Sequence, residues 1–163
     1  MHSNIIQVGT EPIPEENYIC ESDPKGYFVG RIADYVSDVV PKEVPEIAKS
    51  IFSRNEIFDL DLEKMTVTIK DKKKYFEKKF EYFISRLKVI CEKATLETFT
   101  SCEPGDNGLR VNLQLCNEAY NLTHDFYVYE EDVDDHPVTL DEWVRRAEDK
   151  DKFYIGGAVN YHC

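Results

Sequence analysis

The chain has 163 residues, enough for one domain with a substantial core, and carries a formal net charge of −12 at pH 7. Hydrophobic residues make up 42% of it and aromatic residues 12%, which argues against intrinsic disorder despite the charge. No apolar run approaches the ~18 residues of a membrane span, and the N-terminus lacks the basic and apolar segments of a signal peptide. We therefore expect a cytoplasmic protein that forms a single domain over residues 1–163.

The first sixty residues predict one strand, one surface arm and two helices. Asn4–Val8 is a short apolar strand candidate. The next stretch, about residues 9–26, holds three prolines among acidic residues, and this composition predicts an acidic loop or arm on the surface. Apolar residues at helical spacing then predict a helix over Tyr27–Val40, ended by Pro41, and a second helix over Val44–Ser53.

The longest periodic segment follows a predicted β-hairpin. The hairpin consists of Glu56–Leu60 and Met65–Lys70, the second of which alternates cleanly between apolar and polar residues. Asp71–Phe99 then keeps one helical period without glycine or proline, which predicts the main helix of the protein. Its apolar stripe, which we expect to face the core, consists of Phe76, Phe80, Phe83, Leu87, Ile90 and Ala94.

The segment after this helix predicts two paired strands. Leu109–Leu115 alternates apolar and polar residues after a glycine- and proline-rich turn, and this is the clearest strand pattern in the chain. Asp125–Glu130 is again strand-like. The two strands would pair through the connection at residues 116–123.

A capped helix and a last strand complete the predicted elements. Thr139 and Glu142 have the spacing of a capping box, in which the Thr hydroxyl accepts a hydrogen bond from the Glu amide and the Glu side chain reaches back to the Thr amide. This box predicts a helix over Leu140–Asp149 that buries Trp143. Phe153–Tyr161 then predicts a closing strand, whose two glycines mark a β-bulge or a close backbone contact.

The order of these elements predicts the fold class. Strands that mostly follow one another through short turns, with helices before and between them, are typical of an α+β domain. We expect an antiparallel sheet of four to five strands packed against one long central helix, with shorter helices around it.

Charge is distributed unevenly along the chain. The net formal charge is −6 over residues 1–60, +3 over residues 61–97 and −9 over residues 98–163. Such a protein repels nucleic acid and anionic membranes over most of its surface, and it is attracted to basic surfaces, which include the nucleic-acid grooves of other proteins.

Carboxylates are most concentrated near the predicted capping box. They are Glu130, Glu131, Asp132, Asp134 and Asp135, followed by Asp141 and Glu142. A calcium loop is the first hypothesis, but the spacing supplies neither the required glycine nor the final glutamate. Two interpretations remain, namely a solvated acidic turn and a surface that binds a basic partner.

The sequence contains no motif that names a reaction, a metal or a cofactor. A phosphate-binding glycine loop, a zinc-protease motif and a nucleophile elbow are all absent, although Cys91 or Cys116 could in principle act with His124. The five cysteines form no CxxC pair, so we expect reduced thiols. These patterns predict a protein that is not an enzyme and holds neither metal nor cofactor.

The polar face of the predicted main helix is basic. It presents Lys73, Lys74 and Lys78, which we expect to be exposed, and Tyr75 and Tyr82 lie nearby as stacking groups for nucleic acid. The net charge of the chain has the wrong sign for nucleic-acid binding. A solvated face with local ion pairs, or a surface for an acidic partner, therefore accounts better for these lysines.

In size, charge and lack of a catalytic signature, the chain resembles the anti-CRISPR and anti-restriction inhibitors of phages and mobile elements. The stretches EEDVDD (130–135) and EPIPEEN (11–17) carry this resemblance. Many such inhibitors occupy the DNA- or RNA-binding channel of a nuclease by displaying phosphate-like carboxylates. The resemblance implies an inhibitor that binds a basic protein surface, such as that of a nuclease, without contacting nucleic acid or membrane. The alternatives are a cytosolic regulatory or adaptor module, whose charge serves solubility, and an uncharacterised enzyme.

Overall fold

The computed structural model describes residues 2–24, 28–100, 107–121, 126–130, 133 and 136–162. The chain forms two compact units, which we call the sheet unit (Met1–Lys72 with Thr123–Cys163) and the helical unit (Lys73–Leu122). The assignment of the whole chain to one domain stays a prediction. The fold class is α+β, as predicted.

Among the residues that the structure describes, the sheet unit contains a seven-stranded mixed sheet. The strands are β1 (His2–Gly9), β2 (Tyr35–Asp38), β3 (Phe58–Asp61), β4 (Thr66–Ile69), β5 (Phe126–Tyr129), β6 (Val138–Thr139) and β7 (Lys152–His162). Their order is β3-β4-β7-β1-β5-β6, and β2 also pairs with β7. Strand β7 lies at the centre of the sheet. Strand β1 pairs along one side of β7, and β4 and β2 pair with different parts of its other side.

The prediction of an antiparallel sheet of four to five strands was wrong in two respects. The sheet has more strands, and β1 pairs with β5 in parallel, with Ile5 opposite Tyr127 and Gln7 opposite Tyr129. Parallel neighbours need a long crossover, and here the whole chain between residues 9 and 126 separates the two strands. Alternation within a strand carries no information about which distant strand it will join.

Both faces of the sheet are covered. On one face Phe28 packs edge-on against Tyr127 and Tyr161, with ring centroids 4.8 and 5.5 Å apart. On the other face Trp143 lies 4.8 Å from Phe153, again between ring centroids. Trp143 belongs to α5 (Leu140–Arg146), which contacts β5 and β6, while α1 (Val44–Ile51) contacts β1 and β7.

Several local predictions for the sheet unit are confirmed. The hairpin forms between β3 and β4, α1 and α5 lie within their predicted segments and end before those segments do, and Trp143 is buried. The segment Tyr27–Val40, however, is not a helix where it is described. Residues 28–33 form a turn in which Gly30 has φ +89°, and Tyr35–Asp38 pairs as β2 with the end of β7.

The helical unit contains α2 (Lys72–Lys93, whose first residue belongs to the sheet unit), α3 (Leu96–Thr100) and α4 (Asn107–Asn121). The predicted main helix is therefore two helices, and the described chain has five α-helices rather than one central helix. The predicted exposure of Lys73, Lys74 and Lys78 is confirmed. The predicted burial of the stripe was wrong, because Phe80 is 62% exposed and the other described members are half-buried or exposed.

The segment Leu109–Leu115, predicted as the clearest strand, lies inside α4. Its alternation covers only seven residues. Over the longer window the buried positions are Leu109, Asn112, Cys116 and Ala119, which follow steps of three and four. Val111 and Leu113 are exposed, so the alternation did not reflect a buried sheet face.

Candidate functional site

The parallel strands β1 and β5 bring two acidic segments together at the end of the sheet where both strands finish. Parallel strands end on the same side, so the arm that leaves β1 after Gly9 starts beside the residue that follows β5, Glu130. We call this region the acidic edge. It comprises the carboxylates of Glu11, Glu15, Glu16, Glu21, Asp23 and Glu130. Glu130 is half-buried and the others are exposed.

Two cavities open at the acidic edge, and Gln7 and Asn17 line both of them. The smaller, of about 160 Å³, has Glu11 and Glu130 among its lining residues. The larger, of about 300 Å³, is lined by Glu16 and Asp23 together with Tyr18, Tyr129 and Cys20. Each cavity thus pairs an anionic wall with backbone and apolar groups. This arrangement suits a long cationic side chain, which buries its stem and keeps its charge near carboxylates.

A third cavity, of about 360 Å³, shares Glu130 with the smaller one. The charged residues that line it are of both signs, namely Arg146 and Lys152 together with Glu130 and Asp151. The Arg146 guanidinium already lies 3.1 Å from the Glu142 carboxylate, and the Asp151 carboxylate accepts a 2.8 Å hydrogen bond from the Glu148 amide. This cavity is therefore less anionic than the two beside Gln7.

The predicted acidic site is only partly described. Glu130 lies at the acidic edge, whereas Glu131, Asp132, Asp134 and Asp135 lie outside the described residues. Their part in partner binding stays a prediction.

Asp141 and Glu142 belong to α5 and differ in their surroundings. The N-cap half of the predicted capping box is confirmed, because the Thr139 hydroxyl accepts a 3.2 Å hydrogen bond from the Glu142 amide. The same turn directs Asp141 inward, where it is 1% exposed. Burial excludes Asp141 from an exposed binding surface, and the Glu142 side chain pairs with Arg146 and Arg145 of its own helix.

The acidic edge contains residues that the sequence did not assign to a site. The arm was predicted as an acidic surface segment, but its carboxylates were not grouped with Glu130. The sequence signal that could have identified them is that residues 10–24 contain five acidic residues and no Lys or Arg. The neighbourhood of the arm and Glu130 depends on the β1–β5 pairing, which local patterns do not show.

One pair of described residues shows a clear pKa change. In the turn of the β3–β4 hairpin, the Lys64 ammonium donates a 2.7 Å hydrogen bond to Asp61, and this bond holds the Asp61 pKa below its ordinary 3.8. The same bond raises the pKa of Lys64 above 10.5. Both side chains are exposed to solvent, so the pair reports local geometry rather than a reactive group.

Other chemistry is sparse in the part of the chain that the structure describes. There, no group of three or more His, Cys, Asp or Glu side chains is arranged to hold a metal ion. Cys20, Cys91 and Cys116 are free thiols. None of the helices in the described ranges combines the length and apolar character that crossing a bilayer requires.

Comparisons of the chain with protein-family models, curated protein sequences and solved structures found no match. The candidate site therefore depends on the geometry of this chain alone.

Proposed function

We propose that this protein is an acidic inhibitor that binds a basic protein surface, occupying the place of nucleic acid on an enzyme such as a CRISPR or restriction nuclease. The observation that carries the proposal is the segregation of charge between the two units. The sheet unit contains 25 acidic and 12 basic residues, a net formal charge of −13, whereas the helical unit has a net charge of +1. All of the net negative charge thus belongs to the unit that presents the acidic edge.

The acidic edge has the features that a mimic of a phosphate backbone needs. Its arm carries exposed carboxylates at residues 11, 15, 16, 21 and 23 with no basic residue among them. Such a field accelerates encounter with a positively charged groove and selects against anionic partners. The two anionic cavities would then receive Lys or Arg side chains of the partner, which are the groups that otherwise contact phosphates.

Charge reversal in matched sets tests the proposal. The arm variant changes Glu11, Glu15 and Glu16 to Lys, and a second variant changes Asp132, Asp134 and Asp135 to Lys. The control reverses three exposed acids of the same unit outside the edge, namely Glu43, Glu46 and Glu63. Each protein is titrated into a CRISPR effector nuclease and a restriction nuclease with their DNA substrates, at several salt concentrations.

We expect the wild-type protein to slow cleavage in competition with DNA, with an effect that weakens as salt rises because exposed charges are screened over about 8 Å at physiological ionic strength. The arm variant should lose inhibition while the control keeps it, and all variants should stay folded because isolated surface charges contribute little to stability. Equal inhibition by the arm variant, the second variant and the wild type would contradict the proposal.

A second candidate function, an adaptor that binds an acidic partner, is favoured by the helical unit. Helix α2 contains eight basic and three acidic residues, a net charge of +5, beside an apolar stripe whose members are half-buried or exposed. An acidic amphipathic helix would complement both features. The two candidates are separable, because Phe80→Ser should weaken adaptor binding without changing nuclease inhibition.

A further inference from the structure

Gln7 is a buried polar side chain at the centre of the acidic edge. It lies on β1, is 1% exposed, and uses both atoms of its amide group. Its Oε1 accepts hydrogen bonds from the backbone amides of Ile19, at 2.9 Å, and of Gly157, at 3.0 Å. Its Nε2 donates to the backbone carbonyl of Asn17, at 2.9 Å. A single side chain thus joins the arm, β1 and β7.

The partner strand is shaped to accept this contact. Ile6 pairs with Ala158 and Val8 with Ile155, so Gly156 and Gly157 together lie opposite Gln7. This is the β-bulge that the two glycines predicted, and its extra residue turns an amide of β7 toward the Gln7 side chain.

Both glycines of the bulge are required by close approach. A Cβ at position 156 would lie 2.5 Å from Gln7 Oε1, and one at position 157 would lie 2.8 Å from the Cβ of Tyr18. Contacts under 3 Å of this kind force a displacement of the neighbouring group. The arm therefore lies directly on the bulge, in a position that side chains at these two sites would prevent.

The arm has few other anchors among its described residues. Ile19 is buried at 5% exposure, and the Glu21 amide donates a 2.6 Å hydrogen bond to Asp38 of β2. Most remaining arm residues from Thr10 to Asp23 are exposed or half-buried. An apolar side chain in place of Gln7 would leave two amides and one carbonyl without their partner, and buried backbone groups rarely tolerate this.

We propose that Gln7 is a positioning residue for partner binding, which holds the arm in one conformation so that its carboxylates are presented already ordered. This inference rests on the proposed function. Gln7 and Asn17, whose carbonyl accepts the Gln7 hydrogen bond, line both anionic cavities. Ordering the arm before the encounter removes an entropic cost that a flexible acidic loop would incur on binding.

The test uses the full chain with Gln7→Met, which keeps the length of the side chain and removes its hydrogen-bonding groups. Hydrogen exchange is measured at the amides of Ile19 and Gly157, and binding is measured with an oligo-arginine peptide as the probe. Ile57→Val is the matched control, since it removes one buried methyl group from the same unit and leaves the Gln7 bonds intact.

We expect exchange at both amides to rise about tenfold or more in Gln7→Met and to stay unchanged in Ile57→Val. The formal charge is unchanged, so the association rate and the salt dependence should match the wild type, while the complex with the peptide dissociates faster. Neutralising Glu11, Glu15 and Glu16 to Gln should instead reduce the salt dependence. A purely structural role for Gln7 predicts faster exchange with unaltered dissociation, and that result overturns the proposal.

Unchanged amide exchange in Gln7→Met also overturns the proposal, because the arm would then be held without the Gln7 hydrogen bonds. Should Gln7→Met fail to fold, Gly157→Ala displaces Tyr18 and Ile19 from the other side while Gln7 is retained, and the same increase in exchange and dissociation is expected. A wild-type protein that does not bind the peptide overturns the proposed function itself, and with it the binding role of Gln7. The measurement on the wild-type protein alone is enough to detect a failure of the proposed function.

Discussion

The sheet unit and the helical unit differ in how they use their apolar residues. In the sheet unit the largest side chains are almost fully enclosed, with Trp143 and Tyr161 each 1% exposed. In the helical unit Phe80 is 62% exposed, and Leu96 and Phe99 are each 80% exposed. Of the eleven large hydrophobic residues that are exposed in the described chain, seven lie in the helical unit, which is less than a third of the sequence.

The difference has a physical cause. A helix satisfies its backbone hydrogen bonds within one segment, so α2 and α4 can form while their apolar stripes remain partly in water. A strand is formed only when another strand accepts its hydrogen bonds, and pairing brings distant side chains into contact. Aromatic rings from residues 28, 127 and 161 meet within 5.5 Å in the sheet unit. In the helical unit the ring centroids of Phe83 and Tyr120 lie 5.9 Å apart, and Tyr120 remains 58% exposed.

The largest expected effect tests this contrast in packing. Trp143→Ala should lower the free energy of unfolding by about 3–5 kcal/mol, because it opens a cavity beside Phe153 and Phe52. Phe80→Ala, a comparable truncation on α2, should change it by less than about 0.5 kcal/mol. Urea denaturation followed by circular dichroism measures both. A loss of several kcal/mol in Phe80→Ala would show that the stripe is enclosed in solution, and the contrast between the units would be wrong.

A smaller effect on stability is expected from removing a helix N-cap, and each unit contains such a cap. The Thr139 hydroxyl accepts a hydrogen bond from the Glu142 amide at the start of α5, and the Thr95 hydroxyl accepts one from the Thr98 amide at the start of α3. Thr139→Ala should cost about 1 kcal/mol of unfolding free energy, because α5 carries the buried Trp143.

Thr95→Ala removes the same local interaction from a helix whose large side chains are exposed. It should therefore increase amide exchange in α3 while leaving the global unfolding midpoint unchanged. Equal shifts of the midpoint in the two variants would mean that both units unfold as one cooperative structure.

The smallest expected effect concerns the hairpin charge pair. Because the Asp61 pKa is lowered in the folded protein, the contribution of Asp61 to stability is present above pH 3.8 and is lost as the pH falls through its folded value. An NMR titration should place the Asp61 pKa below 3.8, and Lys64→Ala should return it toward that value. The midpoint of unfolding at neutral pH should not change measurably, since both groups are exposed. An Asp61 pKa that is not lowered in the wild type would contradict the hydrogen bond from Lys64.

Features set by neighbours in the sequence could be predicted. Examples are the N-cap at Thr139, the β3–β4 hairpin, α1 and the glycine bulge in β7. Each depends on a few adjacent residues, whose conformational preferences act locally. The net charge and the acidic character of the arm also follow from composition alone. The failures at Leu109–Leu115 and Tyr27–Val40 show the limit, because a short apolar pattern fits more than one period.

Tertiary structure decided which distant segments meet. The parallel pairing of β1 with β5 joins residues that are more than a hundred positions apart, and it alone places the arm beside Glu130. The inward direction of Asp141 and the three bonds of Gln7 depend likewise on packing around the sheet. The sequence supplies the charges and the hydrogen-bonding groups of these residues. Whether such a group is buried and which partner it binds are decided by the segments that pack around it in the folded chain.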